Sequence, residues 1–175
     1  MSTQITENTA GKTAGNTTAN AAAATVVPPV RLAVDTLAPH INRAMNALDA
    51  ASREVSLESS LLELVRARAS QLNGCAYCVD MHSRDARDGG ESERRLYALA
   101  VWRETPFFTA RERAALALAE AVTQLGAHGV ADDVYDEAAA LFDEDELPRL
   151  IAMCVAMNAW NRIGVTCRMS PATRA

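Results

Sequence analysis

The sequence has few aromatic residues, a single lysine and no segment typical of a β-strand. Aromatic residues make up 5% of the 175 residues, and no Val/Ile/Thr-rich alternating run is present, which argues against a β-sheet protein. Alanine and leucine supply most of the 49% apolar content, and both residues favour helices. A chain of this length can bury a core without disulfide staples. We therefore predict an all-α protein with one compact helical domain.

Basic clusters and long apolar runs are also missing. Lys12 is the only lysine, the formal net charge is -5, and the arginines form no basic stripe interleaved with aromatic residues. This argues against a nucleic-acid partner. No uninterrupted apolar run reaches the roughly 18 residues of a membrane span. No Lys/Arg cluster or cleavage pattern marks a signal peptide around residues 21–27. We predict a cytoplasmic protein with no nucleic-acid or membrane partner.

The chain divides into a tail and a helical domain. Residues 1–27 are low-complexity Thr/Ala/Asn/Gly sequence and are predicted to be disordered. Residues 28–175 are predicted to form the domain. Helices are expected at roughly residues 37–52, 57–72, 92–102 and 147–163. Others are expected to begin at the Cys75/Cys78 pair, at Thr109 and after Asp133. Asn73-Gly74 should end the second helix, and Gly164 the last.

Hydrophobic periodicity predicts which helix faces turn inward. The first helix carries Ile41, Met45 and Leu48 on one side. In the second helix the predicted inward residues are Leu61, Val65, Ala69 and Leu72. In the helix that begins at Thr109 they are Ala114, Leu118, Ala121, Val122 and Leu125. In the last helix they are Leu150, Ile151, Cys154 and Val155.

The most informative segment contains Cys75, Cys78 and His82. The cysteines are three residues apart and His82 follows four residues later, so a helix places all three on or near one face. The break at Asn73-Gly74 puts the cysteines in the first turn of the next helix, where unpaired N–H groups and the helix dipole favour thiolates. A lower thiol pKa raises the fraction of thiolate, but it also lowers the nucleophilicity of the sulfur. The net gain in reaction rate from the lower pKa is only about threefold.

Fast chemistry at such a thiol therefore also needs a positioned base and a proton donor for the leaving group. His82 can be the base, one helical turn from Cys78. Glu63 lies on the preceding helix, away from its apolar stripe, and can reach the same site if the two helices pack as a hairpin. A carboxylate that orients an imidazole, which in turn activates a thiol, is a common nucleophilic arrangement.

Other interpretations of these residues remain open. Cys75, Cys78 and His82, with Glu63 as an unusual fourth ligand, could bind zinc. Glu63 could instead be a surface charge paired with Arg66 three residues later. Haem attachment is excluded because Val79 stands where a histidine would be needed.

The remaining cysteines and histidines are not assigned to a site. Cys154 is predicted to be a small buried hydrophobic residue, and Cys167 has no predicted role. His40 and His128 are expected at the surface or in caps.

The spacing Glu63, eleven residues, Cys75-X-X-Cys78, three residues and His82 resembles the active-site signature of the alkylhydroperoxidase AhpD family. That family shares its fold with γ-carboxymuconolactone decarboxylase. Similar segments occur at residues 68–82, 102–104, 112–116 and 158–162, so the resemblance extends over residues 29–166. It implies an AhpD-like helical domain whose helix hairpins pack into a homo-oligomer, a trimer or a hexamer.

The resemblance also implies roles for the site residues. Cys78 would attack the peroxide and become a sulfenic acid, and Cys75 would resolve it to a disulfide. Glu63 and His82 would form the proton relay. The helix positions agree, since Cys78 is one turn from His82, whereas Cys75 lies at the mouth of the helix, where a reductant can reach it. Tyr77 departs from the pattern, because the member that defines the activity has a second histidine there.

The implied partners are a hydroperoxide substrate and an external thiol reductant, such as a lipoyl or thioredoxin-like protein. No metal and no organic cofactor are expected. The alternatives are a cofactor-free lyase of the carboxymuconolactone decarboxylase type and a redox-sensing or zinc-binding module. The cysteine pair argues against the lyase, because decarboxylation does not need two thiols.

Overall fold

The protein is all-α in the computed structural model, which describes residues 28–33, 36, 38–53 and 57–172. These residues contain no strand beyond one isolated bridge between Gly126 and Gly129. A 3₁₀-helix (Leu99–Glu104) directly follows the fourth of the seven α-helices in this described part of the chain. The α-helices are α1 (Pro39–Arg53), α2 (Ser59–Asn73), α3 (Ala76–Asp88), α4 (Glu93–Ala98), α5 (Ala110–Thr123), α6 (Asp132–Leu141) and α7 (Glu146–Cys167). The predicted fold class is confirmed, whereas the predicted tail at residues 1–27 lies outside the described residues.

Helix α2 is the centre of the domain. It packs against α3, α5 and α7 and is buried on several sides. Leu61, Leu62 and Val65 join a core cluster with α5, α6 and α7, whereas Leu64 and Ala67 face α3, α4 and the 3₁₀-helix. Each fully buried leucine contributes roughly 1.5–3 kcal/mol. Because α2 is surrounded in this way, its polar residues Glu63 and Arg66 are drawn into the interior as well.

Two helix boundaries form as the local sequence predicts. The Thr109 side chain accepts a hydrogen bond from the Glu112 backbone N–H, and the Glu112 carboxylate accepts one from the Thr109 N–H, which is a capping box. Helix α2 ends at Gly74, whose φ of 68° is left-handed. The backbone N–H groups of Gly74 and Cys75 bond to Gln71 and Ser70, the pattern of a Schellman cap. This cap sets the direction in which Cys75 enters α3.

Two other helices have different bounds from those predicted. The expected helix at 92–102 is divided, because Val101 has non-helical angles (φ -125°, ψ 32°) within the 3₁₀-helix. Helix α7 does not end at Gly164 but continues to Cys167. Gly164 keeps an ordinary helical backbone there, so its lack of a side chain serves packing and not termination.

Some predicted inward residues are exposed. Leu125 is 64% exposed because α5 ends at Thr123 and the chain turns away. Val155 is 50% exposed. Helix α7 is apolar on most sides, so its sequence does not define one stripe, and its buried residues Met153, Cys154 and Met157 leave Val155 outside.

Helix α7 is also long and apolar enough, by length and composition, to cross a membrane, and no other helix of the described residues is. Half of its apolar window is buried, and it packs against α1, α2 and α5. These contacts are those of a core helix.

Candidate functional site

The two cysteines stand at the start of α3 and are joined by a disulfide. Cys75 is the N-cap residue, and its Sγ accepts the backbone N–H of Cys78 at 3.3 Å. Both are buried, at 1% and 4% exposure, and pack with Ala69 and Met157. The pair therefore forms a small cluster of its own at one end of the core.

The burial of Cys75 corrects one expectation. The sequence suggested that a residue at the mouth of the helix, next to Gly74, would be open to a reductant. Cys75 is 1% exposed because α7 covers it, with Gly164 in direct contact. A position at a helix end gives access only where no other element packs over it.

His82 and Glu63 meet across the α2–α3 pair. His82 Nδ1 lies 2.7 Å from Glu63 Oε2, and His82 is 2% exposed. With the proton on Nδ1, the imidazole donates to the carboxylate and Nε2 carries a free lone pair. Nε2 is buried without a hydrogen-bond partner in the described part of the chain. The expected contact between the two helices is confirmed, and the arrangement leaves one ring nitrogen available to accept a proton.

The other oxygen of Glu63 binds arginine. Arg66 Nη1 donates to Glu63 Oε1 at 2.8 Å, and Arg66 Nη2 donates to Asp49 Oδ1 on α1 at 3.2 Å. The pairing with Arg66 and the contact with His82 therefore coexist. Burial by itself would raise the pKa of Glu63, but the hydrogen bond with His82 and the contacts with Arg66 together hold that pKa below its ordinary value. Glu63 is thus ionised and fixes the ring orientation of His82.

A cavity of about 560 Å³ borders Cys78 and His82. We call it the Cys78 cavity. Its apolar wall includes Met81, Met157, Trp160 and Ile163, and Tyr77 adds a phenol group. Tyr77 thus borders the same space as Cys78. The cavity is large enough for an organic molecule, and its wall also includes hydrogen-bonding side chains such as Asn42 and Asn46.

Gly164 is a site residue that the sequence alone did not identify. A Cβ built at this position would lie 2.8 Å from Cys75 Sγ and 3.5 Å from Cys78 Sγ. Glycine within a helix costs about 1 kcal/mol relative to alanine. Here it makes room for both sulfurs, and the one signal in the sequence was a glycine within an otherwise helical pattern.

A buried amide network anchors the turn before Cys75. Asn73 Nδ2 donates to Asn158 Oδ1 at 2.9 Å and to Asn161 Oδ1 at 3.0 Å. Asn158 Nδ2 donates to Thr123 Oγ1, and Asn161 Nδ2 donates to Ser70 Oγ, both at 3.0 Å. The network joins the end of α2 to α7, so it positions the cysteine turn.

Among the described residues, one group of side chains could hold a metal ion. Glu63, His82 and Asp85 each offer a ligand atom, and these atoms lie within 4.8 Å of one another. No cysteine belongs to this group, whereas the zinc interpretation relied on Cys75 and Cys78. A metal here would compete with Glu63 for His82 Nδ1, unless it used Nε2.

Cys154, His40 and His128 lie where the sequence suggested, whereas no position was predicted for Cys167. Cys154 is fully buried, which raises the pKa of its thiol to about 12. Cys167 is also buried and unpaired, and His40 and His128 are exposed. Cys154 is therefore a packing residue.

Comparison with known proteins agrees with this architecture. Residues 39–121 match the carboxymuconolactone decarboxylase family, a segment that contains the disulfide, His82 and Glu63. The uncharacterized protein YdfG of Bacillus subtilis is 36% identical over 129 residues, which are 74% of this chain and 88% of YdfG. The chain belongs to the carboxymuconolactone decarboxylase family.

Solved structures of related proteins share the fold. An Agrobacterium tumefaciens protein of unknown function, ascribed to antioxidant defence as an AhpD, superposes with a TM-score of 0.80 at 35% identity. The alignment covers 83% of this chain and 100% of that one. The debrominase Bmp8 is similar in fold, with a TM-score of 0.68 at 22% identity over 77% of this chain and 73% of its own. AhpD-like members of this family thus have the same helical architecture.

Proposed function

We propose that the protein is a thiol-dependent peroxidase that reduces hydroperoxides through Cys75 and Cys78. The observation that carries the proposal is the contact of Glu63 with His82 at 2.7 Å, beside a cavity that borders both His82 and Cys78. A carboxylate, an imidazole with an unpaired nitrogen and a sulfur are the parts that nucleophilic thiol chemistry requires.

In the first step, the Cys78 thiolate attacks the distal oxygen of the hydroperoxide, and His82 accepts the thiol proton. The O–O bond breaks, Cys78 becomes a sulfenic acid, and the alkoxide leaves as an alcohol after protonation. In the second step, Cys75 attacks the Cys78 sulfur and displaces the hydroxyl group as water. The product is the Cys75–Cys78 disulfide, in agreement with the positions of the two sulfurs, and an external thiol must then reduce it.

The Cys78 cavity favours an organic hydroperoxide over hydrogen peroxide. Met81, Met157, Trp160 and Ile163 offer apolar contacts that a small polar peroxide cannot use. We expect consumption of cumene hydroperoxide to be faster than that of hydrogen peroxide when the same dithiol regenerates the enzyme. Assays with dithiothreitol, dihydrolipoamide and thioredoxin would identify the class of reductant.

Single cysteine variants test the assignment of roles. In Cys75→Ser, peroxide should still oxidise Cys78, a sulfenic-acid trap should label it, and turnover should fall to near background. In Cys78→Ser, the first oxidation should be lost. Labelling of Cys75 in Cys78→Ser, with none in Cys75→Ser, would reverse the roles. Equal, slow labelling in both variants would contradict the peroxidase and favour a sensor or a metal site. Lactone decarboxylation that persists without either cysteine would favour the lyase.

A further inference from the structure

A second cavity, of about 450 Å³, lies beside Cys75. We call it the Cys75 cavity. Gly74, Cys75, Gly164 and Arg168 belong to its wall and Cys78 does not, whereas the Cys78 cavity includes Cys78 and not Cys75. The two cavities share only Met169 and Ser170 among the described residues. Each cysteine of the disulfide therefore belongs to the wall of a different cavity.

Thiol–disulfide exchange makes this separation important. The incoming thiolate attacks one sulfur and expels the other, with the three sulfurs roughly in line. A thiolate that attacks Cys75 must approach from the side away from Cys78, and the cavity whose wall includes Cys75 but not Cys78 is the route that we assign to it. The sulfur expelled is then Cys78, in the first turn of α3, where the helix dipole stabilises a thiolate and His82 is one turn away.

We propose that the Cys75 cavity is the reductant site and that it takes a slender thiol bearing a negative charge, separately from the hydroperoxide. This inference rests on the proposed redox function of the cysteine pair. The thiolate forms a mixed disulfide with Cys75 and releases Cys78 as a thiolate. A second thiol attacks the outer sulfur and releases Cys75, which takes up a proton, as does Cys78. Two thiols are oxidised to one disulfide, and the protein gains two electrons and two protons.

The shape and charge of the cavity define the ligand. Cys75 is 1% exposed under α7, so a flat protein surface cannot reach its sulfur. Only a small thiol or a thiol on a thin arm fits the Cys75 cavity, and its contact with the sulfur requires side chains of the cavity wall to move aside. Arg168 is the only charged residue in the described wall, it is exposed, and it forms no ion pair within the described part of the chain. Its guanidinium attracts both the attacking thiolate and an anionic group on the reductant.

A series of thiols of different charge tests the contribution of Arg168. The purified protein is oxidised with diamide, so that the disulfide forms without peroxide. It is then reduced at low salt by 2-mercaptoethanesulfonate, 2-mercaptoethanol or cysteamine, and free thiols are counted after acid quenching. With rates expressed per thiolate, the anionic thiol should react about tenfold faster than the cationic one. Arg168→Glu should reverse this order, and Arg84→Glu, with the same change in net charge on exposed α3, should not.

Blocking each cavity separately tests the two routes. Ala76→Phe and Val165→Phe place a ring in the Cys75 cavity from exposed positions. Both should slow thiol reduction at least about tenfold and leave oxidation by cumene hydroperoxide unchanged. Leu32→Trp, in the Cys78 cavity, should slow peroxide oxidation and not thiol reduction. Circular dichroism verifies that each variant is folded.

The possible results are distinguishable. Unchanged thiol reduction in both blocked variants and no charge preference would overturn the reductant site, even if peroxide turnover persisted. Slower thiol reduction only in Leu32→Trp would place both reagents in one cavity and would also overturn it. Absence of peroxide oxidation in the unaltered protein would contradict the proposed function, yet reduction of the diamide-formed disulfide would still report on the Cys75 cavity.

Discussion

At the scale of single residues, the site depends on Glu63 and Gly164, one for its charge and the other for its lack of a side chain. Glu63 is 9% exposed and uses one oxygen for His82 and the other for Arg66. Gly164 lies against both sulfurs. Glu63 contacts His82, whereas Gly164 contacts the cysteine pair directly, and each residue can be tested by a small substitution.

Replacement of Gly164 by alanine should change the redox equilibrium. In the disulfide, the bond holds Cys75 Sγ at the place where it would meet the new Cβ at 2.8 Å. In the dithiol, Cys75 can rotate away, so alanine destabilises the oxidised form more than the reduced form. We expect the equilibrium with glutathione to move at least about tenfold toward the dithiol, equivalent to about 30 mV.

Gly126→Ala is the matched control for this prediction, because its Cβ would meet no atom within 4 Å. It should leave the equilibrium unchanged. A Gly164→Ala variant with lower stability but an unaltered potential would mean that Gly164 has no specific effect on the disulfide. The potential is measured by quenching protein–glutathione mixtures and counting free thiols.

Replacement of Glu63 by glutamine should change both the pH dependence of stability and the oxidation rate. The pKa of Glu63 in the folded protein is lowered from its ordinary value of 4.5. The ionised carboxylate therefore stabilises the fold at pH values above 4.5. That stabilisation is lost as the pH falls through the folded pKa. Urea unfolding measured from neutral to acid pH should therefore show a smaller decrease in the free energy of unfolding for Glu63→Gln than for the natural protein.

The same variant should oxidise more slowly at neutral pH. Without the carboxylate, His82 is less well oriented, and a positioned base contributes about 10²–10⁴-fold. We expect the rate of sulfenic-acid formation at Cys78 to fall at least about tenfold. A larger decrease in the free energy of unfolding at acid pH for Glu63→Gln than for the natural protein, or an unchanged oxidation rate, would show that the carboxylate does not act as described.

At the scale of helices, Glu120 of α5 joins three elements away from the cysteine pair. Arg68 Nε of α2 and Trp102 Nε1 of the 3₁₀-helix donate to Glu120 Oε1 at 2.7 and 2.8 Å, and Arg103 donates to Oε2. Burial raises the pKa of Glu120, but the hydrogen bonds from Arg103, Trp102 and Arg68 outweigh it, so the pKa is lowered. Glu120 thus holds the 3₁₀-helix against the α2–α5 pair.

Glu120→Gln should reduce stability without altering peroxide chemistry. The amide keeps one acceptor oxygen but loses the charge, and hydrogen bonds to charged groups are worth about 1.5–3 kcal/mol. We expect the free energy of unfolding, measured with urea at neutral pH, to fall by about 1–3 kcal/mol. Glu137→Gln on exposed α6 is the control and should change stability by no more than about 0.5 kcal/mol. An equal loss in both variants would exclude a specific role for Glu120.

At the scale of the whole molecule, the core and not the disulfide should maintain the fold. The disulfide closes a loop of only a few residues, for which the chain-entropy relation gives about 2 kcal/mol. The core, by contrast, contains two large clusters on opposite sides of α2. The homo-oligomer and the cytoplasmic location are properties of this scale that stay predictions.

Reduction of the disulfide should therefore lower the melting temperature without unfolding the protein. For a domain of this size, about 2 kcal/mol corresponds to roughly 4–8 °C. Thermal melts followed by far- and near-UV circular dichroism, with and without a phosphine reductant, measure the effect. The Cys75→Ser/Cys78→Ser double variant should not respond to the reductant. Loss of near-UV signal on reduction at 25 °C would mean that the disulfide is required for tertiary structure.

The sequence by itself determined the all-α class, most helix positions and the contact between Glu63 and His82. Those features follow from local periodicity, from the Gly74 cap and from residue types spaced within twenty positions, and the packing of α2 on α3 brings the pair together. A resemblance to a known family added expected roles for the cysteines. The exposure of Leu125 and the division of the helix after Ala98 were not evident, because they depend on where neighbouring elements pack.

Tertiary structure alone decided the surroundings of the two sulfurs. Gly164, Asn158 and Asn161 lie more than 80 residues after the cysteine turn that they support, and no local pattern relates them to it. The burial of Cys75 and the separate cavities beside Cys75 and Cys78 depend on how α7 crosses the start of α3. A sequence specifies which groups are available, whereas the packing of distant helices decides which atoms each sulfur meets and from which side a reagent can approach it.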